Sequence, residues 1–140
     1  MKLEYDKTKL QEAVSAAAKV RENAYTPYSQ FKVGAAIVSE ITGRIYGGCN
    51  VENASYGATI CAERNAVLQA VAAEGAPAFS FLVVYTDTAE PVPPCAMCLQ
   101  VLAEFCSPEM PVYLCTASGV QRRCVFRDLL PRPFNAIPMD

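Results

Sequence analysis

Two short stretches hold the residues able to do chemistry: Cys61-Ala62-Glu63 and Pro94-Cys95-Ala96-Met97-Cys98. Three thiolates can bind zinc tetrahedrally and leave a fourth position for water, the arrangement of a catalytic rather than a closed structural site. Cys95 and Cys98 lie three residues apart at the start of a predicted helix, so both sulfurs reach one point. Cys61 opens a second predicted helix, so two helix N-termini converge on the metal. Zinc with three thiolates carries about one net negative charge, which opposes ionisation of its water. Each helix N-terminus supplies roughly half a positive charge, so two nearly cancel the excess. Arg64 adds a full charge or hydrogen bonds to the sulfurs. A site balanced in this way lowers the pKa of the water toward neutrality.

Glu63 is the second chemical clue. Positions 63, 66, 67 and 70 read Glu, Ala, Val, Ala, which is the apolar face of the helix. A carboxylate turned inward is costly, and burial raises its pKa. Such a group can take a proton from activated water and pass it to a substrate. The chain has no histidine, which excludes Ser-His-Asp and Cys-His catalysis and leaves carboxylates as the general bases.

Plainer readings exist for each feature. A CxxC at a helix start also serves thioredoxin-like redox chemistry, although the usual context lacks Cys61 and Glu63. The three cysteines could join Cys106, Cys115 or Cys124 in a closed structural Cys₄ site. Glu63 alone could be a solvated helix residue. The combination of Cys61, inward Glu63 and the CxxC favours catalysis over all three.

The elements that must position these residues follow from periodicity and turn signals. Residues 6–23 read as a helix with Leu10, Val14, Ala17 and Ala18 on one face and Asp6 near its start. Residues 32–39 and 44–51 read as a hairpin about Thr42-Gly43. A helix from Cys61 to Gly75 precedes a buried strand over 79–86. Pro94 opens the second metal helix, with Cys95, Cys98, Leu102 and Phe105 on one stripe. Strands over 111–116 and 121–126 and a short turn at Asp128-Leu129-Leu130 complete one layered α/β domain, residues 1–140, with a mixed sheet.

Composition agrees with a single catalytic domain. A chain of 140 residues buries about two-thirds of its surface on folding, enough for a core without disulfides. With 19% charged residues and a mean hydropathy of +0.16, the chain is not disordered. No apolar run reaches the roughly 18 residues of a membrane span, and Met1-Lys2-Leu3-Glu4-Tyr5-Asp6-Lys7 lacks a signal-peptide core, so a cytoplasmic protein is expected. An odd count of seven cysteines in a reducing compartment argues for thiols and metal ligands rather than a disulfide framework. Cys49, Cys106, Cys115 and Cys124 read as apolar thiols. The net charge of −2 and the scattered basic residues offer no stripe for nucleic acid.

At these residues the chain resembles the small zinc-dependent cytidine deaminases, whose signature pairs a cysteine-bound zinc with a nearby Glu and P-C-x-x-C. The resemblance extends through Tyr25-Thr26-Pro27-Tyr28-Ser29, Phe31 to Ala36, Gly48-Cys49-Asn50-Val51-Glu52-Asn53, Cys61-Ala62-Glu63-Arg64, the Pro-Cys-x-x-Cys block and Leu129-Leu130-Pro131-Arg132-Pro133-Phe134. Two positions depart from the common P-C-G-x-C-R: Ala96 stands for the glycine and Leu99 for the arginine. Neither is a ligand or the proton shuttle, but both bear on packing around the second metal helix and on which pyrimidine fits best.

The resemblance implies a three-layer α/β/α sandwich with a five-stranded mixed sheet, one zinc per subunit, and a homotetramer with shared active sites. It implies hydrolytic deamination of cytidine or deoxycytidine in pyrimidine salvage, with Glu63 moving protons between the attacking water, N3 and the departing amine. Cys61, Cys95 and Cys98 become the metal ligands and Arg64 their neighbour. Asn50 and Glu52 are similar to the pair that binds the ribose hydroxyl, the alternative being ordinary turn residues. The Ala62 backbone meets the pyrimidine carbonyl, and Phe31 borders the base or fills the core. Ala54 and Tyr56 face a neighbouring subunit's sugar, although Tyr56 could simply pack. Phe134, on a Pro-stiffened tail, covers an adjoining subunit's base or plugs its own surface. A deaminase of a related aminopyrimidine or antibiotic is the enzymatic alternative, and a non-catalytic cysteine–zinc or redox module the other.

Overall fold

The computed structural model describes residues 2–139, with side chains described from residue 7 onward. Helix α1 (Lys2–Arg21) leads into strands β1 (Val33–Ser39) and β2 (Ile45–Cys49). Helix α2 (Ala62–Glu74) and strand β3 (Phe79–Thr86) follow, then α3 (Ala96–Ala103), β4 (Pro111–Thr116), β5 (Gln121–Val125) and the short α4 (Phe126–Leu129). The sheet order is β2-β1-β3-β4-β5. Only β3 and β4 pair in parallel, because α3 carries the chain back between them. The other three pairs are antiparallel.

Alternation along the strands builds three layers. Ala35, Ile37, Leu82, Val84, Val112 and Leu114 face α2 and α3, where Ala66, Val67, Ala70, Leu99 and Leu102 complete the larger core. Ala36, Val38, Val83 and Cys115 face the other way onto Ala13 and Ala17 of α1. Leu99 is buried in the larger core, so an apolar side chain packs where the resembling family commonly carries an arginine.

Helix α2 is fixed to the sheet edge along its length. Asn65 Nδ2 donates to the Cys49 carbonyl at 2.7 Å and Gln69 Nε2 to the Gly47 carbonyl at 3.0 Å, which satisfies outer backbone acceptors of the edge strand β2. At the far end Glu74 accepts from Ser39 Oγ at 2.8 Å, Thr42 Oγ1 at 2.9 Å and Tyr46 Oη at 2.6 Å. The Tyr46 hydroxyl above all holds the Glu74 carboxyl below the usual carboxylate range. Gly75, at φ 82°, then ends the helix.

Several boundaries differ from the sequence expectation, with β2 among them ending at Cys49 and not at position 51. Helix α1 begins at Lys2 and ends at Arg21, and the Asp6 side chain lies outside the described ones. Helix α3 begins at Ala96, with Cys95 as its N-cap and Pro94 outside. Phe126, 3% exposed, is drawn into the core at the end of β5 and starts α4, two residues before the short helical turn expected at Asp128-Leu129-Leu130. A single 3₁₀ turn at Tyr56–Ala58 was not foreseen. No helix among the described residues is long and apolar enough to cross a membrane.

The depressed Glu74 pKa gives its stabilisation a sign: it is present above the ordinary carboxylate range and is lost as pH falls through the folded-state pKa. Glu74→Gln should therefore lower Tm at neutral pH, and the gap to the unaltered protein should close as pH falls through and below the carboxylate range. Thermal melts across pH check this; a gap of constant size contradicts it.

Candidate metal centre and cleft

Cys61 and Cys95 are the N-caps of α2 and α3, both with extended backbone, at φ −70°, ψ 157° and φ −71°, ψ 165°. Neither side chain caps its own helix, so both sulfurs are free to turn toward each other. Cys61 Sγ lies 3.8 Å from Cys95 Sγ, and Cys95 Sγ lies 3.5 Å from Cys98 Sγ. All three sulfurs fall within 4.8 Å of one another. Sulfurs held tetrahedrally at about 2.3 Å from zinc stand about 3.8 Å apart, so the donor set fits zinc in both spacing and chemistry. Cys98 is buried, Cys61 half-buried and Cys95 exposed, which opens the cluster on one side.

Electrostatics around the sulfurs follow the expectation. Arg64 Nη2 lies 3.6 Å from Cys61 Sγ and also donates to the Thr59 carbonyl at 3.2 Å. The Cys98 thiol and then Arg64 draw Cys61 down to about 5. Cys98 is pushed up by its bond to Cys61, by burial and by the Glu63 charge. Glu63, 5% exposed, has Oε2 3.7 Å from Cys98 Sγ, and burial pushes its carboxyl up. A carboxyl whose neutral form burial favours is suited to exchange protons with a substrate.

Cys61, Cys95 and Cys98 form the one metal-capable cluster among the described residues, and no fourth cysteine joins them. Burial pushes Cys106 up to about 12 and Cys115 to about 11, which keeps them neutral thiols. Cys106 and Cys124 pack on the larger core.

Cys61, Cys95 and Glu63 open into a cleft of about 210 Å³ that Phe31, Asn50, Ala62 and Thr86 also line. A larger depression of about 460 Å³, beside Lys9, Phe81 and Tyr113, holds neither the thiols nor the buried acid. The chemistry therefore belongs to the smaller space. Asn50 accepts from Val33 N and donates to the Phe31 carbonyl, both at 2.8 Å, so its amide is locked at the cleft wall. Phe31 is 39% exposed at the rim and does not fill the core.

Glu52 lies outside the cleft lining. It accepts from Tyr28 N and Ser29 N at 3.0 Å and from the Ser29 hydroxyl, which above all lowers its pKa. Ser29 Oγ in turn accepts from Phe31 N at 3.0 Å, so Glu52 braces the loop that presents Phe31. Ala54, Tyr56 and Phe134 also lie outside the lining, all exposed. Tyr56 meets Tyr28 edge-on, with ring centroids 5.8 Å apart. The Phe134 carbonyl accepts from Gln100 Nε2 of α3 at 2.5 Å, which ties the tail to the second metal helix.

Sequence reasoning missed Thr59, Val84, Thr86, Val92 and Pro93 as cleft residues, and Asn65, Gln69 and Gln100 as braces. The period-2 face of β3 placed Val84 and Thr86 beside Leu82 and was a usable signal; so was the i,i+4 amide pair Asn65 and Gln69 beside the apolar face of α2.

Three thiols at two helix N-termini beside a buried carboxyl are the donor set of the zinc deaminases. The family description "Cytidine and deoxycytidylate deaminase zinc-binding region" matches residues 7–114. A cytidine deaminase of Sporosarcina psychrophila is 46% identical over 90% of this chain and 91% of its own. One from Halalkalibacterium halodurans is 43% identical over 91% and 95%. The crystal structure of cytidine deaminase from Burkholderia pseudomallei superimposes with a TM-score of 0.83 at 45% identity, covering 89% of this chain and 98% of that one. The chain belongs to the cytidine and deoxycytidylate deaminase family.

Replacing Cys61, Cys95 or Cys98 with Ser should weaken zinc binding and activity together. Cys106→Ser, Cys115→Ser and Cys124→Ser should retain full zinc stoichiometry, read by elemental analysis after dialysis against a chelator. Zinc lost from one of the latter three would point instead to a closed four-cysteine site.

Proposed function

We propose that this protein hydrolyses cytidine and deoxycytidine to uridine or deoxyuridine and ammonia, as one catalytic domain over residues 1–140. The observation that carries the reading is Glu63, buried 3.7 Å from Cys98 Sγ and lining the cleft that Phe31 and Asn50 share. Zinc held by Cys61, Cys95 and Cys98 would supply a Lewis acid that makes water nucleophilic at neutral pH. Glu63 takes one proton from the attacking water and delivers it to N3. It then takes the remaining proton of the new C4 hydroxyl and delivers it to the amine, so that the C4 carbonyl forms as ammonia leaves. Burial keeps that carboxyl ready to be protonated, and Arg64 offsets charge on Cys61. The Ala62 backbone receives the pyrimidine carbonyl, Phe31 borders the ring, and Asn50 takes the sugar hydroxyl with Glu52 bracing the adjoining loop. A sugar site of this kind rejects free cytosine, because its buried polar groups would be left unpaired.

The reading extends to a cytoplasmic homotetramer acting in pyrimidine salvage, with each site completed by neighbours. Two observations support the shared site. A cleft of about 210 Å³ is smaller than the roughly 300 Å³ at which ligand pockets usually begin. Tyr25, Tyr28, Tyr56, Met97 and, on the tail, Phe134 are large side chains left exposed, as surfaces that meet a neighbour are. Ala54, Tyr56 and Phe134 are the residues one subunit offers to another's substrate.

Glu63→Gln should retain zinc and fold but lose roughly 10²- to 10⁴-fold in kcat, since an amide cannot carry protons. Near-normal turnover would sink the mechanism. Mixing Glu63→Gln protein with Phe134→Ala/Tyr56→Ala protein, after dissociation and reassembly, should restore part of the activity, because an intact Glu63 can borrow a neighbour's intact Phe134 and Tyr56. Verified hybrids without recovery, or a fully active monomer, would rule out the shared site.

A further inference from the structure

We infer that Gly48, which touches no reacting atom, is the positioning residue that sets the catalytic helix at its working distance. A Cβ built on Gly48 would lie 2.4 Å from Ala66 N, 2.5 Å from the Ala62 carbonyl oxygen and 2.9 Å from Asn65 C. All three are backbone atoms of the first turn of α2, so no side chain can rotate away to make room. Carbon needs about 3.5 Å from such neighbours, so an added methyl would force strand and helix apart by about 1 Å.

That turn carries Cys61 at its N-cap, Ala62, and Glu63 beside them. Asn50, on the facing wall of the cleft, lies two residues beyond Gly48. The bare face of Gly48 therefore sets both the separation of Glu63 from Asn50 and the approach of Cys61 to the two cysteines of α3. Asn65 reinforces the same contact through its 2.7 Å bond to the Cys49 carbonyl, one residue along the strand. A misplacement of about 1 Å at a reacting centre costs on the order of a hundredfold in rate.

Two other glycines of the same hairpin separate positioning from plain stability. A Cβ on Gly34 would lie 2.0 Å from the Ala17 carbonyl of α1, a clash at least as severe, against a helix that contributes nothing to the cleft. A Cβ on Gly47 would meet Val20 at an ordinary 3.6 Å.

The experiment compares Gly34→Ala, Gly47→Ala, Gly48→Ala and Asn65→Ala. It measures Tm, zinc affinity by chelator competition, the visible spectrum of the cobalt-substituted protein, and kcat per bound zinc with cytidine. Gly48→Ala should weaken zinc, alter the cobalt spectrum and lower kcat about a hundredfold. Gly34→Ala should lower Tm with the spectrum and kcat per folded molecule preserved, and Gly47→Ala should change nothing. Asn65→Ala adds no atoms and should lower kcat and shift the spectrum in the same direction by less. The kcat arm rests on the deaminase reading. If the unaltered protein lacks that activity, the deaminase reading fails, and zinc affinity and the cobalt spectrum still test Gly48. Folded Gly48→Ala protein with unchanged zinc affinity, spectrum and kcat would overturn the inference. Where Gly48→Ala does not fold, Asn65→Ala decides alone, and unchanged values there overturn it equally.

Discussion

The structure depends on bringing three sulfurs and a buried carboxyl to one point without electrostatic penalty. Cys98, pushed up, keeps its proton and donates to Glu63 Oε2 at 3.7 Å, but once all three sulfurs, 3.5–3.8 Å apart along the cluster, act as thiolate ligands they repel one another. Two devices offset that repulsion. The N-termini of α2 and α3 present their positive ends to the cluster, and Arg64 reaches Cys61. Both helices can converge there only because each packs on the same face of the sheet, through Ala66, Val67 and Ala70 in α2 and Leu99 and Leu102 in α3.

Close approach is the second constraint. Glycines let helix and sheet backbones meet at two points: Gly34 against Ala17 of α1, and Gly48 against Ala62 and Ala66 of α2. Larger side chains would thicken the layers and move both helix axes outward. No described residue of α1 lines the cleft, whereas α2 has Cys61 as its N-cap and a three-bond clamp at its end. A helix held at its far end and along its edge resists the small rotations that would turn Glu63 away from Cys98.

The cleft itself is partly built by residues whose polar groups are already committed. Asn50 spends one donor and one acceptor on the backbone at Phe31 and Val33, and Glu52 spends both oxygens on Tyr28 and Ser29. These bonds hold the wall rigid before a ligand arrives, which lowers the ordering cost of binding. Tyr28, Tyr56 and Phe134 stay exposed outside the cleft lining.

Much of this was legible in the chain before any fold was known. The CAE and PCAMC stretches singled out the three cysteines that come together, and the inward register of Glu63 on an apolar face predicted the buried acid, because helix geometry relates positions 63, 66, 67 and 70. Strand alternation and turn residues gave the element order. Local rules could not show which carbonyls Asn65 and Gln69 would reach, that Glu52 would turn onto the Tyr28-Ser29 loop, or that Phe126 would begin a helix. Each depends on partners 16 to 24 residues away, or on burial that exists only after the sheet has formed. Gly48 makes the same division: its identity is in the sequence, but its meaning appears only when α2 lies on β2 and the space a methyl would occupy is already filled by the helix backbone.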